Sequence, residues 1–252
     1  MSNADWYRYY APHRVAGLTP ERIAADCAAA EKDIAALLAR TGLTPDDRIL
    51  EVGCGWGRHS LALARRGFAK VRSIDIAPEP LVIARALTVE YGLDCGFQQQ
   101  DFIEGCDGAY TAILSLYDRS VCGFPSEAED VHSLHHLSGL LTPGGWLVFG
   151  INDWPFHLPG AQRDWRETPQ GIELLEVLPD RAAMTCTDMV TLVRPDGRRE
   201  QYTLTRRHYY LPELRQLLAN AGFSLHGAFH RLNGKRRYGD GSNGLFVFAR
   251  RE

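Results

Sequence analysis

Apolar residues recur along this chain in two rhythms, and the change from one to the other divides it. From Arg48 to Ile151, short apolar runs alternate with stretches whose apolar positions return every three or four residues. Residues 49–52, 71–76, 97–100, 109–116 and 146–151 read as strands. Between them, Leu61, Ala64 and Phe68 mark one helix, and Leu81, Ile83, Ala84 and Leu87 mark a second, which Pro78 and Pro80 open. Residues 131–141 have the spacing of a third. Upstream, Thr19 and Pro20 look like an N-cap and first turn for a helix over 21–40, its stripe being Ile23, Cys27, Ala30, Ile34, Leu37 and Leu38. Repeated strand-helix units predict a parallel sheet covered on both faces, with ligands at the carboxyl ends of its strands.

The rhythm changes after Asn152. Residues 152–171, rich in Pro, Trp and Gly, read as a loop. Residues 172–178, 183–193 and 199–208 read as extended, the last two joined as a hairpin by Arg194-Pro195-Asp196-Gly197. Helical spacing returns over 211–221 and Gly222 ends it. Two further strands follow at 223–230 and 245–250. The expected organisation is an aromatic N-terminal segment and cover helix (1–47), a ligand-binding core (48–151), an antiparallel insertion (152–209), and a last helix with two strands that complete the core sheet (210–252).

Composition narrows the class without naming it. The 252 residues are 45% hydrophobic and 23% charged with a formal net charge of −3, which gives no electrostatic reason to expect nucleic acid. No stretch has the pattern of a signal peptide or of a membrane span, so a cytoplasmic protein is expected. Six cysteines without a CxxC pair argue against a zinc site or a disulfide framework, and no metal is expected.

Chemistry gathers at 49–59. Gly53, Gly55 and Gly57 leave out Cβ where a strand must bend into a helix and let backbone approach a ligand. No Gly-Lys-Ser/Thr ending follows, which speaks against nucleoside triphosphate. Asp75 ends the next strand, placed to accept both hydroxyls of a ribose. Asp101-Phe102 ends the one after, where a carboxylate and a backbone N–H can read the edge of an adenine. Together they describe a pocket for a purine nucleoside.

Glu51-x-Gly53-x-Gly55-x-Gly57, Asp75, Asp101-Phe102 and Leu141-Thr142-Pro143-Gly144-Gly145 resemble the motif series of class I S-adenosylmethionine-dependent methyltransferases. The resemblance covers residues 48–151 well and the final helix with Gly222-Phe223 moderately. It implies an α/β fold: a seven-stranded, doubly wound Rossmann-like sheet with its last strand antiparallel, here with an antiparallel β insertion after strand 5 and an N-terminal helical lid. It implies S-adenosylmethionine as cofactor, with Gly53 and Gly55 along its methionine part, Asp75 on the ribose and Asp101 with Phe102 on the adenine. Glu51, Cys54, Gly57 and Ile76 complete the expected cofactor set. Ser115 and Leu116 would face the cofactor, and Tyr117 would lie near the transferring methyl.

The insertion and the segment Arg207-His208-Tyr209-Tyr210 are similar to small-molecule methyltransferases, including those acting on sugar amines and amino acids. The Asn/Asp-Pro-Pro-Tyr/Phe signature of base methylation is absent. Candidate catalytic groups are Tyr117, Asp118, His157 and His208. Candidate acceptor contacts are Tyr10 and Arg14 from the N-terminal lid, Tyr117, and Arg236 in the basic turn 235–237. Each competes with a packing or solvated role. The expected function is methyl transfer to an N, O or C atom of a small molecule, with no nucleic-acid or membrane partner. The hairpin insertion offers strands that could meet across a two-fold axis in a homodimer. Two alternatives stand beside this reading: a protein that binds S-adenosylmethionine without transferring methyl, and a nicotinamide-dependent dehydrogenase. The dehydrogenase would want Gly-x-Gly-x-x-Gly at the bend and, in its short-chain class, a Tyr-x-x-x-Lys pair, and neither is present.

Overall fold

The computed structural model describes residues 6–117, 121–151, 160–234 and 245–252. Its strands form two sheets. Seven of them, β1 (Ile49–Val52), β2 (Val71–Asp75), β3 (Gly96–Gln99), β4 (Tyr110–Ser115), β5 (Leu141–Ile151), β10 (Phe223–Phe229) and β11 (Leu245–Arg251), lie in the order β10-β11-β5-β4-β1-β2-β3. All neighbours from β5 to β3 pair parallel. β11 runs against both β5 and β10 and is the reversed strand.

Alternation along the strands builds a core on each side of this sheet. Ile49, Ala112, Leu114, Val148, Phe246 and Phe248 pack against α2 (Pro20–Thr41) and α3 (Arg58–Ala64). Their neighbours in sequence, Leu50, Ile113, Leu147, Phe149, Val247 and Ala249, pack against α5 (Glu127–Leu140) and α6 (Leu211–Asn220). That period of two, with both faces covered, is why β1 is buried at every position. α2 starts where its capping signal stands, with the Thr19 hydroxyl accepting from the Arg22 N–H at 3.2 Å, and stops at left-handed Gly42. α4 (Pro78–Glu90) connects β2 to β3.

The insertion is a four-stranded antiparallel sheet, β6 (Gln162–Thr168), β7 (Gly171–Asp180), β8 (Thr185–Val193) and β9 (Arg199–Arg207), in that spatial order. β6 corrects the expected loop over 152–171. Its sequence, QRDWRET, has no apolar alternation because it is an edge strand with nearly every side chain in solvent. The β7 ladder and cross-strand ion pairs hold it, Arg163–Glu176 and Arg166–Glu173 at 2.6 Å each. α5 begins four residues before the expected start, because Ser126 and Glu129 form a reciprocal capping box. β5 likewise begins at Leu141, its pairing with β4 shifting between Tyr110↔Leu141 and Ala112↔Trp146.

The N-terminal segment is a helix, α1 (Trp6–Ala16), despite Pro12 inside it. It packs against α4 of the core and β9 of the second sheet, bridging the two. No helix among the described residues is long and apolar enough to cross a membrane.

Candidate functional site

The bend after β1 is shaped by backbone contacts. The Cys54 N–H donates to the Ile74 carbonyl and the Gly57 N–H to the Cys54 carbonyl, closing a tight loop before α3. Gly57 has φ +78, and a Cβ there would lie 2.5 Å from the Phe97 ring of β3, so the bend is pressed onto its neighbour. Gly55 has φ +55, but a Cβ there would meet nothing within 4 Å. The open side of the loop is therefore at Gly55.

Asp75 faces that side. Its Oδ2 accepts from the Gly55 N–H at 2.7 Å and its Oδ1 from the Ala77 N–H at 2.8 Å, so the carboxylate ties the end of β2 to the bend. Burial raises its pKa, against the pull of the two backbone donors. Each carboxylate oxygen retains a lone pair for a further donor. At the end of β3, Asp101 uses Oδ1 to accept from the Ile103 N–H at 2.9 Å. Phe102 is buried in the α5 core and its carbonyl meets His136 Nε2 at 2.8 Å. Ile76 offers its carbonyl to Gln99 Nε2. Cys54 is buried with its thiol turned to the Gly55 carbonyl.

Two expected cofactor contacts have their side chains committed elsewhere. Glu51 is buried, accepting from the Ser60 hydroxyl and lying 3.4 Å from His59 Nδ1; Ser60 in turn pairs with Ser73 at 2.6 Å. Its carboxylate therefore braces the start of α3 from inside. Leu116 is buried in the α2–α3 core, where its side chain packs. Ser115 is fully buried at the end of β4.

Tyr117 follows with φ +68 and is 49% exposed as a residue. His59, two residues past Gly57, stacks on that ring at 5.7 Å and 8°. The Arg58 guanidinium lies 4.8 Å from its centroid, and Phe246 meets it edge-on at 4.9 Å. The hydroxyl points inward, donating to Asp33 Oδ2 at 2.8 Å. Asp33, buried on α2, also accepts at Oδ1 from Asn233 Nδ2 at 2.7 Å, and its Oδ2 is 3.8 Å from His59 Nε2. His59 is thus enclosed between two buried carboxylates. Burial lowers its pKa, but the contacts with Asp33 and Glu51 and the charge of Glu51 outweigh that and leave it raised. Tyr117 is raised by burial first, then by the charge of Asp33 and the bond to it.

His208 belongs to a different cluster, at the root of the second sheet. It is buried with its N–H on the Met184 carbonyl. Beside it in sequence, the Tyr209 hydroxyl donates to Asp130 Oδ2 at 2.7 Å, while the Gly123 and Phe124 N–H groups donate to Asp130 Oδ1 at 2.6 and 2.9 Å. Asp130 is fully buried, which pushes its pKa up to about 6 against those donors. Asp118, His157 and Arg236 lie outside the described residues, as do the side chains of Tyr10 and Arg14. Among the described residues no three His, Cys, Asp or Glu side chains converge as a metal site.

Sequence reasoning missed Asp33, His59, Asn233 and Asp130. Asp33 had a signal: a carboxylate between Ala30 and Ile34 on the apolar stripe of an amphipathic helix calls for a buried partner.

Residues 49–145 match the family model described as a methyltransferase domain. Together with the reversed β11, the bend and the strand-end aspartates, the match identifies that stretch. Residues 49–145 are a class I S-adenosylmethionine-dependent methyltransferase domain. Similar curated proteins include the ubiquinone biosynthesis O-methyltransferases of Sodalis glossinidius (strain morsitans), 30% identical over 143 residues, and Serratia proteamaculans (strain 568), 32% identical over 145. The first match covers 54% of this chain and 55% of that protein, the second 54% and 57%. The chain thus spans about half the length of these relatives. Across nearly its whole length the fold resembles an S-adenosylmethionine-dependent methyltransferase of Clostridium acetobutylicum ATCC 824, with TM-score 0.73, 15% identity and 98% of each chain covered. The CcbJ methyltransferase of Streptomyces caelestis gives 0.71 at 18% identity, covering 88% of this chain and 89% of that one. An amino pentose methyltransferase of Micromonospora echinaspora, solved with S-adenosylmethionine bound, gives 0.58 at 22%, with 96% of each chain covered.

The methyltransferase domain fits that cofactor on three observations. Space is open over Gly55, lone pairs remain on Asp75, and Asp101 Oδ2 and the Phe102 N–H, on successive residues, have no protein partner among the described residues.

Proposed function

We propose that the protein moves a methyl group from S-adenosylmethionine to an N, O or C atom of a small-molecule acceptor. The observation that carries this reading is the placement of Tyr117: a half-exposed residue at the end of β4, its ring stacked on His59 in the first turn of the helix that the glycine bend opens. In this reading Gly53, Cys54, Gly55 and Gly57 lie along the methionine part, Asp75 accepts from the ribose hydroxyls, and Asp101 with the Phe102 N–H reads the adenine. Bound there, S-adenosylmethionine would supply a sulfonium methyl that needs no further activation.

The residues of the chain then have to align a nucleophile behind that methyl and keep water out. Alignment of this kind can be worth about 7–11 kcal/mol of the barrier. In this reading Tyr117 positions the acceptor, and the second sheet, which α1 bridges to α4 of the core, supplies the acceptor side. An acceptor of metabolite size agrees with the names of the relatives and structural neighbours, O-methylation in ubiquinone biosynthesis in one group and amino pentose methylation in the other.

Calorimetric titration with S-adenosylmethionine, S-adenosylhomocysteine and NAD tests the cofactor, and transfer of labelled methyl to a panel of catechols and amino sugars tests the reaction. Binding of both sulfur nucleosides and label in a small-molecule product are expected. Tight NAD binding with neither sulfur nucleoside would overturn the reading.

A further inference from the structure

We propose that Asp33 and Tyr117 form a proton-accepting pair that restricts the methyl acceptor to a protic nucleophile, one presenting an O–H or N–H at the transfer position. This rests on the methyltransferase reading above and narrows its acceptor class.

The argument is one of hydrogen-bond polarity. A tyrosine hydroxyl has a single proton, and here Asp33 takes it at 2.8 Å. A carboxylate only accepts, so the direction of that bond is fixed. Asn233, donating to the other Asp33 oxygen at 2.7 Å, holds the carboxylate in place, and burial keeps water from competing. The remaining lone pairs of Tyr117 Oη can then only accept. A ligand group meeting them must donate, which an alcohol, a phenol or an amine does and a thioether or a pyridine-type nitrogen does not.

The same pair gives the proton a route. As the acceptor's electron pair forms its bond to the methyl carbon and the carbon–sulfur bond breaks, leaving a neutral thioether, the acceptor's O–H or N–H proton passes to Tyr117 Oη. The Tyr117 proton passes to Asp33. One positive charge on sulfur and one negative charge on Asp33 disappear together, so the step balances. Among the described residues, the charged and titratable groups around the pair are His59 and Arg58 from α3, Glu51 from β1 behind His59, and Arg231 from the segment after β10. Asp33 acts through Tyr117 and is a positioning residue; Tyr117 is the group that would touch the acceptor.

Asp33→Asn is nearly isosteric. Its amide oxygen can still take the Tyr117 proton, and the Asn233 amide can turn to accept from the new NH2, but no carboxylate remains to receive a proton. Two readouts test the pair. The first needs no turnover: tyrosinate difference absorbance on alkaline titration, the signal of Tyr117 being isolated from the other nine of the ten tyrosines by subtracting the Tyr117→Phe variant. Ionisation of Tyr117 above the ordinary tyrosine value of about 10, falling toward it in Asp33→Asn, is expected. The second is transfer of labelled methyl to catechol and glucosamine, as protic probes, and to nicotinamide, whose ring nitrogen carries no proton. Transfer to a protic probe but not to nicotinamide is expected, with kcat lowered roughly 100-fold in Asp33→Asn and in Tyr117→Phe. The double variant should fall no further, and Asp33→Glu should recover part of the loss. S-adenosylmethionine affinity should stay within a few-fold throughout. An unchanged Tyr117 titration in Asp33→Asn, or undiminished kcat in that variant, overturns the pair. Loss of S-adenosylmethionine binding by the unaltered protein would instead sink the methyltransferase reading itself.

Discussion

Asp130 makes a quantitative prediction because its burial is complete and its partners are few. Its carboxylate accepts from the Gly123 and Phe124 N–H groups and from Tyr209, linking the segment after β4 to α5 and to the chain that leaves the second sheet. The folded pKa is about 6, against about 3.9 for an aspartate in an unfolded chain. Because the folded value is the higher one, the folded state holds a proton between these values that the unfolded state has released. Stability is then greatest below about pH 4 and falls as pH rises through about 6, the total change approaching roughly 3 kcal/mol.

Asp130→Asn removes the charge and keeps the shape. The amide oxygen retains both backbone donors, and the Tyr209 hydroxyl turns to accept from the new NH2. Urea unfolding of both proteins from about pH 4.5 to pH 7.5 should show the variant as stable as its parent or more so at the upper end. The parent should then gain about 2 kcal/mol on the variant as pH falls to the lower end. Cys122, Glu127 and Arg207 face the same cluster but are present in both proteins, so the difference isolates Asp130. A stability difference that stays constant across that range, with unchanged m, would refute the reasoning.

Three further outcomes follow from the site. Gly57→Ala puts a Cβ 2.5 Å from the Phe97 ring at φ +78; strain and overpacking together should cost roughly 2–4 kcal/mol, and a melting temperature within a degree or so of the parent would contradict the close approach. Asp75→Ala should weaken S-adenosylmethionine binding by about 1.5–3 kcal/mol, the scale of hydrogen bonds to a charged group, and unchanged calorimetric affinity in a folded variant would remove Asp75 from the site. His59→Leu removes the imidazole between Asp33 and Glu51 and should cost about 3–5 kcal/mol where that imidazole is protonated. Since the folded pKa of His59 is raised, that contribution is complete below about pH 6.5 and disappears as pH climbs through the folded value; denaturant midpoints of the two proteins that do not converge with rising pH would count against it.

What could be read from sequence and what could not separate by the range of the interaction involved. The parallel core was legible because its signals are local: apolar runs of strand length, helical stripes, and glycines at alternate positions all lie within one element or its border. The strand-end aspartates were legible because topology places the ends of β1, β2 and β3 side by side whatever the loops do. β6 was not, since an edge strand held by backbone ladders and charge pairs shows no apolar period. The buried cluster was not either, because its members come from residues 33, 51, 59, 117 and 233 and only the fold brings them together. Glu51 shows the consequence. Read within its motif, it is a candidate ligand contact. In place, it is one end of a charge cluster that runs through His59 to Asp33, and so connects the bend that would hold the cofactor to the tyrosine that would meet the acceptor. A substitution at Glu51 should therefore disturb acceptor positioning through His59, a coupling that motif position gives no means to anticipate.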